Sequence, residues 1–145
     1  MTGGENYCYH FTAYNVLGGE SEYSTKLSVV PITIPSGLSA PTFVTKSKNS
    51  ITVTWNTPTS DGDSEILKYI LYIKAEYESS YTEIYSGLST SYKATLLRTG
   101  FNYQFKIRAV NLAGISDFSS ASANIITALA PGIPRNLDLV SRSST

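Results

Sequence analysis

The segment Gly100-Phe-Asn-Tyr-Gln-Phe-Lys-Ile-Arg-Ala-Val-Asn111 decides the fold of this 145-residue chain. From Tyr103 to Ala109 apolar and polar side chains alternate, as in a β-strand with one face on a core and the other in solvent. Ile51-Thr-Val-Thr-Trp55 alternates in the same way. Turn-forming residues separate several such runs, and no run of about ten residues carries a helical stripe. The pattern predicts an all-β, antiparallel sandwich.

This segment has a counterpart near the N-terminus. Gly4-Glu-Asn-Tyr-Cys-Tyr-His-Phe-Thr-Ala-Tyr-Asn15 aligns with it at a spacing of 96 residues. Each copy continues into a serine-bounded run, Ser21-Glu-Tyr-Ser24 in the first and Ser116-Asp-Phe-Ser119 in the second. Beyond these runs, Pro41-Thr-Phe-Val corresponds to Pro134-Arg-Asn-Leu. A repeat of this length equals one small sandwich domain, which predicts a tandem array.

The residues of the quoted segment resemble a known family. The fibronectin type III signature Y-x-F-x-V-x-A-x-N-x-x-G-x-S is matched by Tyr103, Phe105, Ile107, Ala109, Asn111, Gly114 and Ser116. Leu97 resembles the leucine of the family's tyrosine corner, and Trp55 resembles the core tryptophan of its strand B. The family's B–C loop and the opening of its strand C are similar to Pro58, Asp61, Gly62, Ile66 and Tyr69. The resemblance covers essentially the whole chain.

The resemblance implies an immunoglobulin-like sandwich of seven antiparallel strands. Their expected ranges are A 42–46, B 50–56, C 66–76, C′ 81–86, E 91–97, F 101–110 and G 118–127. Residues 36–128 then form one complete domain, residues 1–33 hold strands F and G of an upstream domain, and residues 131–145 hold the first strand of a downstream domain. The linkers at 31–37 and 130–134 contain prolines that restrict bending.

Alternation and resemblance together predict which side chains face inward and which face outward. The expected core contains Trp55, Tyr69, Leu71, Leu97, Tyr103, Phe105 and Ile107. In a tyrosine corner the hydroxyl of Tyr103 bonds to nearby backbone. Side chains around strands C and C′ are expected to form a contact surface, because tyrosine is enriched at interfaces, although scattered exposed aromatics are also common. This surface comprises Ile70, Tyr72, Tyr77, Tyr81 and Tyr85.

Composition disfavours two classes of partner. The 11 basic and 11 acidic residues cancel, so there is no positive field to attract nucleic acid or an anionic membrane. No apolar run approaches the roughly 20 residues of a membrane helix, so membrane insertion is not expected. One cysteine excludes a disulfide within the chain.

Three candidate chemical sites are weak. Asp61-Gly-Asp-Ser-Glu65 carries three carboxylates, but it lacks the further oxygen ligands of a calcium loop and is interpreted as a solvated turn. Cys8 and His10 share a strand face without a second cysteine or histidine to complete a metal site. A nucleophilic triad has no histidine base within the complete domain. We therefore expect no catalytic residues, no cofactor and no enzyme activity.

Two functions remain open at this point. The first is a structural or adhesive spacer in an extracellular-type filament or stalk, whose partners are neighbouring fibronectin type III domains or copies of the chain. Its expected location is extracellular or at the cell surface. The alternative is a protein- or glycan-binding module of a receptor, a secreted enzyme or a cytoplasmic scaffold, with contacts from residues 57–64, 112–116 or the tyrosine surface. The N-terminal F–G hairpin is expected to be covered by further strands, since a lone hairpin is marginally stable.

Overall fold

The computed structural model describes residues 5–127. All of their regular structure is β-strand. The strands are β1 (Tyr7–Tyr9), β2 (Tyr14–Asn15), β3 (Gly19–Glu20), β4 (Leu27–Val29), β5 (Thr42–Lys46), β6 (Ile51–Thr54), β7 (Lys68–Ala75), β8 (Thr82–Gly87), β9 (Ser91–Ala94), β10 (Asn102–Asn111), β11 (Gly114–Ile115) and β12 (Ile125–Ile126).

Strands β5 to β12 form two antiparallel sheets. One sheet has the order β5-β6-β9, and the other has the order β11-β10-β7-β8 with β12 also paired to β10. In the family's letters the first sheet is A-B-E, and the second is C′-C-F with the two short G strands at its edge. The predicted all-β sandwich of antiparallel strands is confirmed.

The core lies between the two sheets. Alternation along β10 sends every second side chain inward, because successive residues of a strand point to opposite faces. Of the seven expected core residues, Leu97 is half-buried against the cluster and the other six are fully buried within it. Each large apolar side chain buried in this way contributes about 1.5–3 kcal/mol.

The G segment differs from its expected range of 118–127. Only β11 and β12 pair as regular strands, and the residues between them bond to β10 through a serine ladder, defined as Ser116, Ser119 and Ser122. Each ladder serine donates its backbone N–H to a β10 carbonyl, at 2.8–2.9 Å. Its Oγ accepts the N–H of that same β10 residue, at 3.0–3.1 Å, and donates to the next carbonyl of its own segment. Every three residues of the G segment are therefore matched to two residues of β10, so the regular pairing of the two strands is lost.

The N-terminal hairpin repeats this arrangement. Strand β1 pairs with β4, and β2 pairs with β3. Ser21 and Ser24 bond to Ala13 and Phe11 through the same two contacts, backbone N–H to carbonyl and backbone N–H to Oγ. The hairpin thus has the same kinds of hydrogen bond as β10 and the G segment. Its assignment to an upstream domain stays a prediction, and the expected downstream strand at 131–145 lies outside the described residues.

The tyrosine corner is built around Arg98. The Tyr103 hydroxyl accepts the backbone N–H of Arg98 at 2.8 Å and lies 3.4 Å from the carbonyl oxygen of the same residue. The Tyr103 ring is fully buried, and this burial raises the pKa of its phenol. The phenol therefore stays protonated through the neutral range and anchors the chain that enters β10.

We expect Tyr103→Phe to lower the free energy of unfolding by about 1 kcal/mol, and by up to about 3 kcal/mol if the Arg98 N–H is left without an acceptor. Urea titration followed by the fluorescence of the single tryptophan measures the change. The matched control is Tyr14→Phe, because Tyr14 is 76% exposed and lies in the N-terminal hairpin, away from the corner. A parental midpoint for Tyr103→Phe would show that the corner bond does not stabilise the domain.

Candidate functional site

The outer face of the β10-β7-β8 sheet carries an excess of positive charge. Its outward positions include four cations, Lys68 and Lys74 on β7 and Lys106 and Arg108 on β10. Glu83 of β8 lies opposite Tyr72 of β7 and places a carboxylate on the same face. The polar positions of two alternating strands thus produce a basic surface on a chain whose formal net charge is zero.

Three of these cations lie over aromatic rings. The Lys74 Nζ lies 5.7 Å from the centroid of the Tyr81 ring, and the Lys106 Nζ lies 4.8 Å from the same centroid. Lys106 is also 5.6 Å from the Phe118 ring, and the Arg108 guanidinium is 4.6 Å from that ring. We call these five side chains the cation–π row. Such contacts contribute about 0.5–1 kcal/mol each at exposed sites.

Further contacts hold the row in place. The Arg108 Nε donates to the Ser116 carbonyl at 2.8 Å, which ties the guanidinium to the start of the G segment. The Tyr81 hydroxyl lies 3.3 Å from the Gln104 Oε1, and burial raises the pKa of this phenol. The Tyr72 and Phe118 rings meet edge to face at 5.0 Å. The ring ends of the row are therefore fixed by the sheet itself.

Two of the five residues expected at the contact surface lie beside the cation–π row or within it. Tyr81 belongs to the row, and Tyr72 packs on its Phe118 ring. Ile70 occupies an outward position between Arg108 and Ser86, but it is only 7% exposed and offers little surface.

Tyr85 does not lie on the outer face, and that expectation is wrong. Strand β8 contains a bulge, in which Glu83 opposes Tyr72 and Tyr85 opposes Leu71, so that Ile84 is the extra residue. One extra residue reverses the direction of the side chains that follow it. The Tyr85 ring instead packs inward, 6.0 Å from the Trp55 ring.

Tyr77 is exposed as expected, but its ring contacts lie elsewhere. It follows β7, packs edge to face on Phe101 at 5.1 Å, and lies under the Arg98 guanidinium at 5.1 Å. The expected tyrosine surface is therefore divided. Sequence reasoning missed Lys74, Lys106, Arg108 and Phe118, although the parity of β7 and β10 could have identified the three cations.

A cleft adjoins the cation–π row at Phe118. It measures about 250 Å³ and lies between the chain that enters the domain and the G segment. Its walls combine apolar side chains with serine hydroxyls and one carboxylate. The lining residues are Ile34, Pro35, Ser36, Gly37, Leu38, Ser116, Asp117, Phe118 and Ser120.

The linker before the domain is bonded to the B–C loop. The Thr33 N–H donates to the Gly62 carbonyl at 2.9 Å, and Ser36 and Ser60 exchange two backbone hydrogen bonds. The side-chain amide of Asn111, which is 2% exposed, donates to the carbonyls of Thr33 and Asp61 at 2.7 and 2.6 Å. We call this set of bonds the linker clamp. It ties residues 33–36 to strand β10 and to the B–C loop.

The weak chemical sites have structural contacts of their own. Within residues 5–127 no group of three His, Cys, Asp or Glu side chains is arranged to hold a metal ion. The Asp61 carboxylate accepts the Asp63 N–H at 3.1 Å, as in a turn. Cys8 is exposed, and the His10 Nδ1 lies 3.3 Å from the Ser24 carbonyl. The same part of the chain contains no helix of the length and apolarity that membrane crossing requires.

The match to a family model decides the family. The model of the fibronectin type III domain matches residues 35–125, which is most of the chain. This chain belongs to the fibronectin type III family. Asn111, the clamp residue, and Ser116, the first ladder serine, both fall within the matched part.

The relatives that this chain matches are much longer than the chain itself. Human myomesin-2 is 34% identical over 84% of this chain, which covers 9% of myomesin-2. Mouse cardiac-type myosin-binding protein C is 30% identical over 94% of the chain, which covers 11% of that protein. Exoglucanase B of Cellulomonas fimi is 31% identical over 88% of the chain and 12% of its own length. The chain thus spans about a tenth of each.

Solved structures agree with the fold. Domains A168–A170 of titin superpose with a TM-score of 0.63 at 28% identity, covering 70% of this chain and 36% of theirs. Titin kinase with its flanking domains gives a TM-score of 0.61 at 29% identity, covering 66% of this chain and 17% of theirs.

The expected extracellular or cell-surface location is wrong. Myomesin-2, myosin-binding protein C and titin are intracellular proteins of the sarcomere, and they are among the relatives of this fibronectin type III chain. The sequence alone gave no independent support for the location, because the chain has one cysteine and therefore no disulfide to indicate an oxidising compartment.

Proposed function

We propose that the chain is a structural module of a tandem fibronectin type III protein, acting as a spacer that sets the direction of its neighbours and not as an enzyme. The linker clamp carries this proposal. A spacer transmits orientation only if the chain between two domains cannot swivel, and here the linker is bonded to the domain that follows it. The partners are neighbouring fibronectin type III domains.

The linker clamp acts at more than one point along the linker. Proline at positions 31 and 35 limits the backbone, and Pro35 is itself fully buried. The bond pair between Ser36 and Ser60 fixes the C-terminal part of the linker, while Thr33 bonds to Gly62 and Asn111. Two attachment points hold direction as well as position. This supports a spacer that is stiff on its N-terminal side.

We expect Asn111→Asp to loosen the linker. Aspartate keeps an oxygen that accepts the N–H groups of Ala113 and Gly114, but it has no N–H to donate to Thr33 and Asp61. Both hydrogen bonds are lost and the new carboxylate is repelled by the two carbonyl oxygens, at a cost of at least about 1–3 kcal/mol, so the Thr33 amide should exchange with solvent about tenfold faster or more. Amide hydrogen exchange followed by NMR measures this rate.

Asn15→Asp provides the matched control. Asn15 occupies the equivalent position of the N-terminal hairpin, where its Oδ1 also accepts the N–H groups of the following turn. This control should leave the exchange of Thr33 unchanged. A Thr33 amide that exchanges as fast in the parent as in a disordered peptide would overturn the stiff-linker proposal.

One observation favours the alternative function, that of a binding module. The cation–π row presents ordered cations on the outer sheet face, and a spacer does not need them there. Its contact surface is Tyr72 and Tyr81 with Lys74, Lys106, Arg108 and Phe118. The two functions are compatible, because the linker clamp and the row use different residues.

A further inference from the structure

We propose that the outer face of the β10-β7-β8 sheet binds an extended, acidic protein segment along the cation–π row. The proposal rests on the binding-module function and is independent of the spacer role. It commits to a partner whose carboxylates alternate along a strand-like backbone. The argument uses charge, spacing, order and the cleft beside Phe118.

Charge is the first step. The outward positions of β7, β8 and β10 carry four cations, Lys68, Lys74, Lys106 and Arg108, and one carboxylate, Glu83. The chain as a whole is neutral, so this excess is local to one face. A local basic patch attracts a partner with the opposite charge and fixes its register.

Spacing is the second step. Lys106 and Arg108 are two residues apart on one strand, which separates their attachment points by about 7 Å along its axis. In an extended partner, side chains at alternate positions have this same separation. Acidic residues at every second position would therefore meet both cations, with one carboxylate for each.

Order is the third step. The Lys106 Nζ lies between two rings, and the Arg108 guanidinium is fixed by both Phe118 and the Ser116 carbonyl. A lysine held over a ring still has N–H donors free for a ligand, because the ring attracts the positive charge of the ammonium group and does not accept a hydrogen bond at a defined lone pair. The cations therefore lose less rotamer freedom on binding than free surface side chains do.

The cleft beside the row is the fourth step. Phe118 belongs both to the row and to the walls of the cleft that contains Ile34 and Leu38. A volume of about 250 Å³ accommodates one side chain of the partner, and because the Asp117 carboxylate also lines the cleft, an apolar side chain fits there better than an acidic one. The favoured ligand is thus an acidic strand that ends in one apolar anchor.

Two other classes of ligand fit this face less well. Nucleic acid and sugars stack on free aromatic faces, whereas cations already lie over Tyr81 and Phe118. The neutral chain also lacks the broad positive field that gathers a polyanion. Protein carboxylates need only the few fixed cations that are present.

The probe is a labelled peptide, Glu-Thr-Glu-Thr-Glu-Leu, added to the 145-residue chain at low ionic strength. Backbone amide shifts in an NMR titration should concentrate on β7, β10 and the residues around Phe118. The double variant Lys106→Glu with Arg108→Glu should weaken binding about tenfold or more, because two attractions become repulsions. Lys106→Met with Arg108→Met keeps the apolar stems over the sheet and should also weaken binding, which separates loss of charge from loss of folding.

The control variant is Lys93→Glu, on β9 of the opposite sheet. It changes the net charge without touching the row and should alter binding less than about twofold. Equal loss in Lys93→Glu would overturn the site, because attraction would then be general. A Gln-Thr-Gln-Thr-Gln-Leu peptide that binds equally well would leave a binding surface but overturn the acidic partner. If no peptide gave a saturable shift, both the binding surface and the acidic partner would be overturned. If an oligothymidylate bound more tightly at the same residues, the partner would be nucleic acid and not protein.

Discussion

Trp55→Ala is expected to lower the free energy of unfolding by about 3–5 kcal/mol, the range for removing a large buried aromatic side chain. Trp55 is 4% exposed and packs between the Tyr69 and Tyr85 rings, at centroid distances of 6.1 and 6.0 Å. Small domains are stable by only about 5–15 kcal/mol, so the variant should be partly unfolded at moderate temperature. Circular dichroism during thermal unfolding measures the change, since the variant has no tryptophan to report it.

The indole nitrogen makes a second comparison informative. Trp55 Nε1 is a buried polar atom that has no hydrogen-bond partner within residues 5–127. Trp55→Phe removes this unsatisfied donor while it keeps a ring in the core, so it should cost far less than the alanine variant. Leu112→Ala, at a position that is 76% exposed, should change stability by less than about 0.5 kcal/mol. An alanine variant as stable as the Leu112 control would show that Trp55 does not organise the core.

Gly62→Ala is expected to have the second largest effect, a loss of about 3 kcal/mol together with release of the linker. Gly62 has a φ of 75°, which costs other residues roughly 1–2 kcal/mol. A Cβ added there would lie 1.9 Å from the Thr33 carbonyl oxygen, so the linker backbone must move away. The bonds from Gly62 and Asn111 to Thr33 would then break, at about 1 kcal/mol each.

Gly19→Ala is the control, because it introduces the same substitution at a positive-φ glycine of the N-terminal hairpin, away from the linker clamp. Gly19 has a similar φ of 80°, but no atom of the described part of the chain lies within 4 Å of its added Cβ. This variant should leave Thr33 exchange and the unfolding of the domain at parental values. Tryptophan fluorescence in urea, with amide exchange of Thr33, measures both effects. If Gly62→Ala kept slow Thr33 exchange, the linker clamp would not depend on this close approach.

The sequence predicted the inward residues of β10 because the strand is long and regularly paired. Alternation over Tyr103, Phe105 and Ile107 needs no knowledge of distant contacts, since a strand fixes direction locally. The same reasoning failed at Tyr85, where Ile84 forms a bulge against β7. A bulge is a property of two strands, so the parity of one strand cannot reveal it.

The G segment shows a second limit. A serine every third residue is not a period of two or of 3.6, so the sequence pattern predicts only a plain strand at 118–127 and not the ladder. Phe118 was missed for that reason, because its direction depends on the ladder. The linker clamp was also hidden, since Asn111 lies 78 residues from Thr33 along the chain.

The serine ladder also bears on aggregation. A sheet edge with regular, unpaired backbone groups is a template on which a neighbouring chain can add a strand. In a tandem array the neighbours are tethered, so their effective concentration is high. Between β11 and β12 the hydroxyls of the ladder serines donate to carbonyls of their own segment and accept N–H groups of β10. The backbone groups along this edge therefore lack the even spacing of a regular strand. We therefore expect this edge of the sheet to be a poorer template for an added strand than a regularly paired edge strand would be.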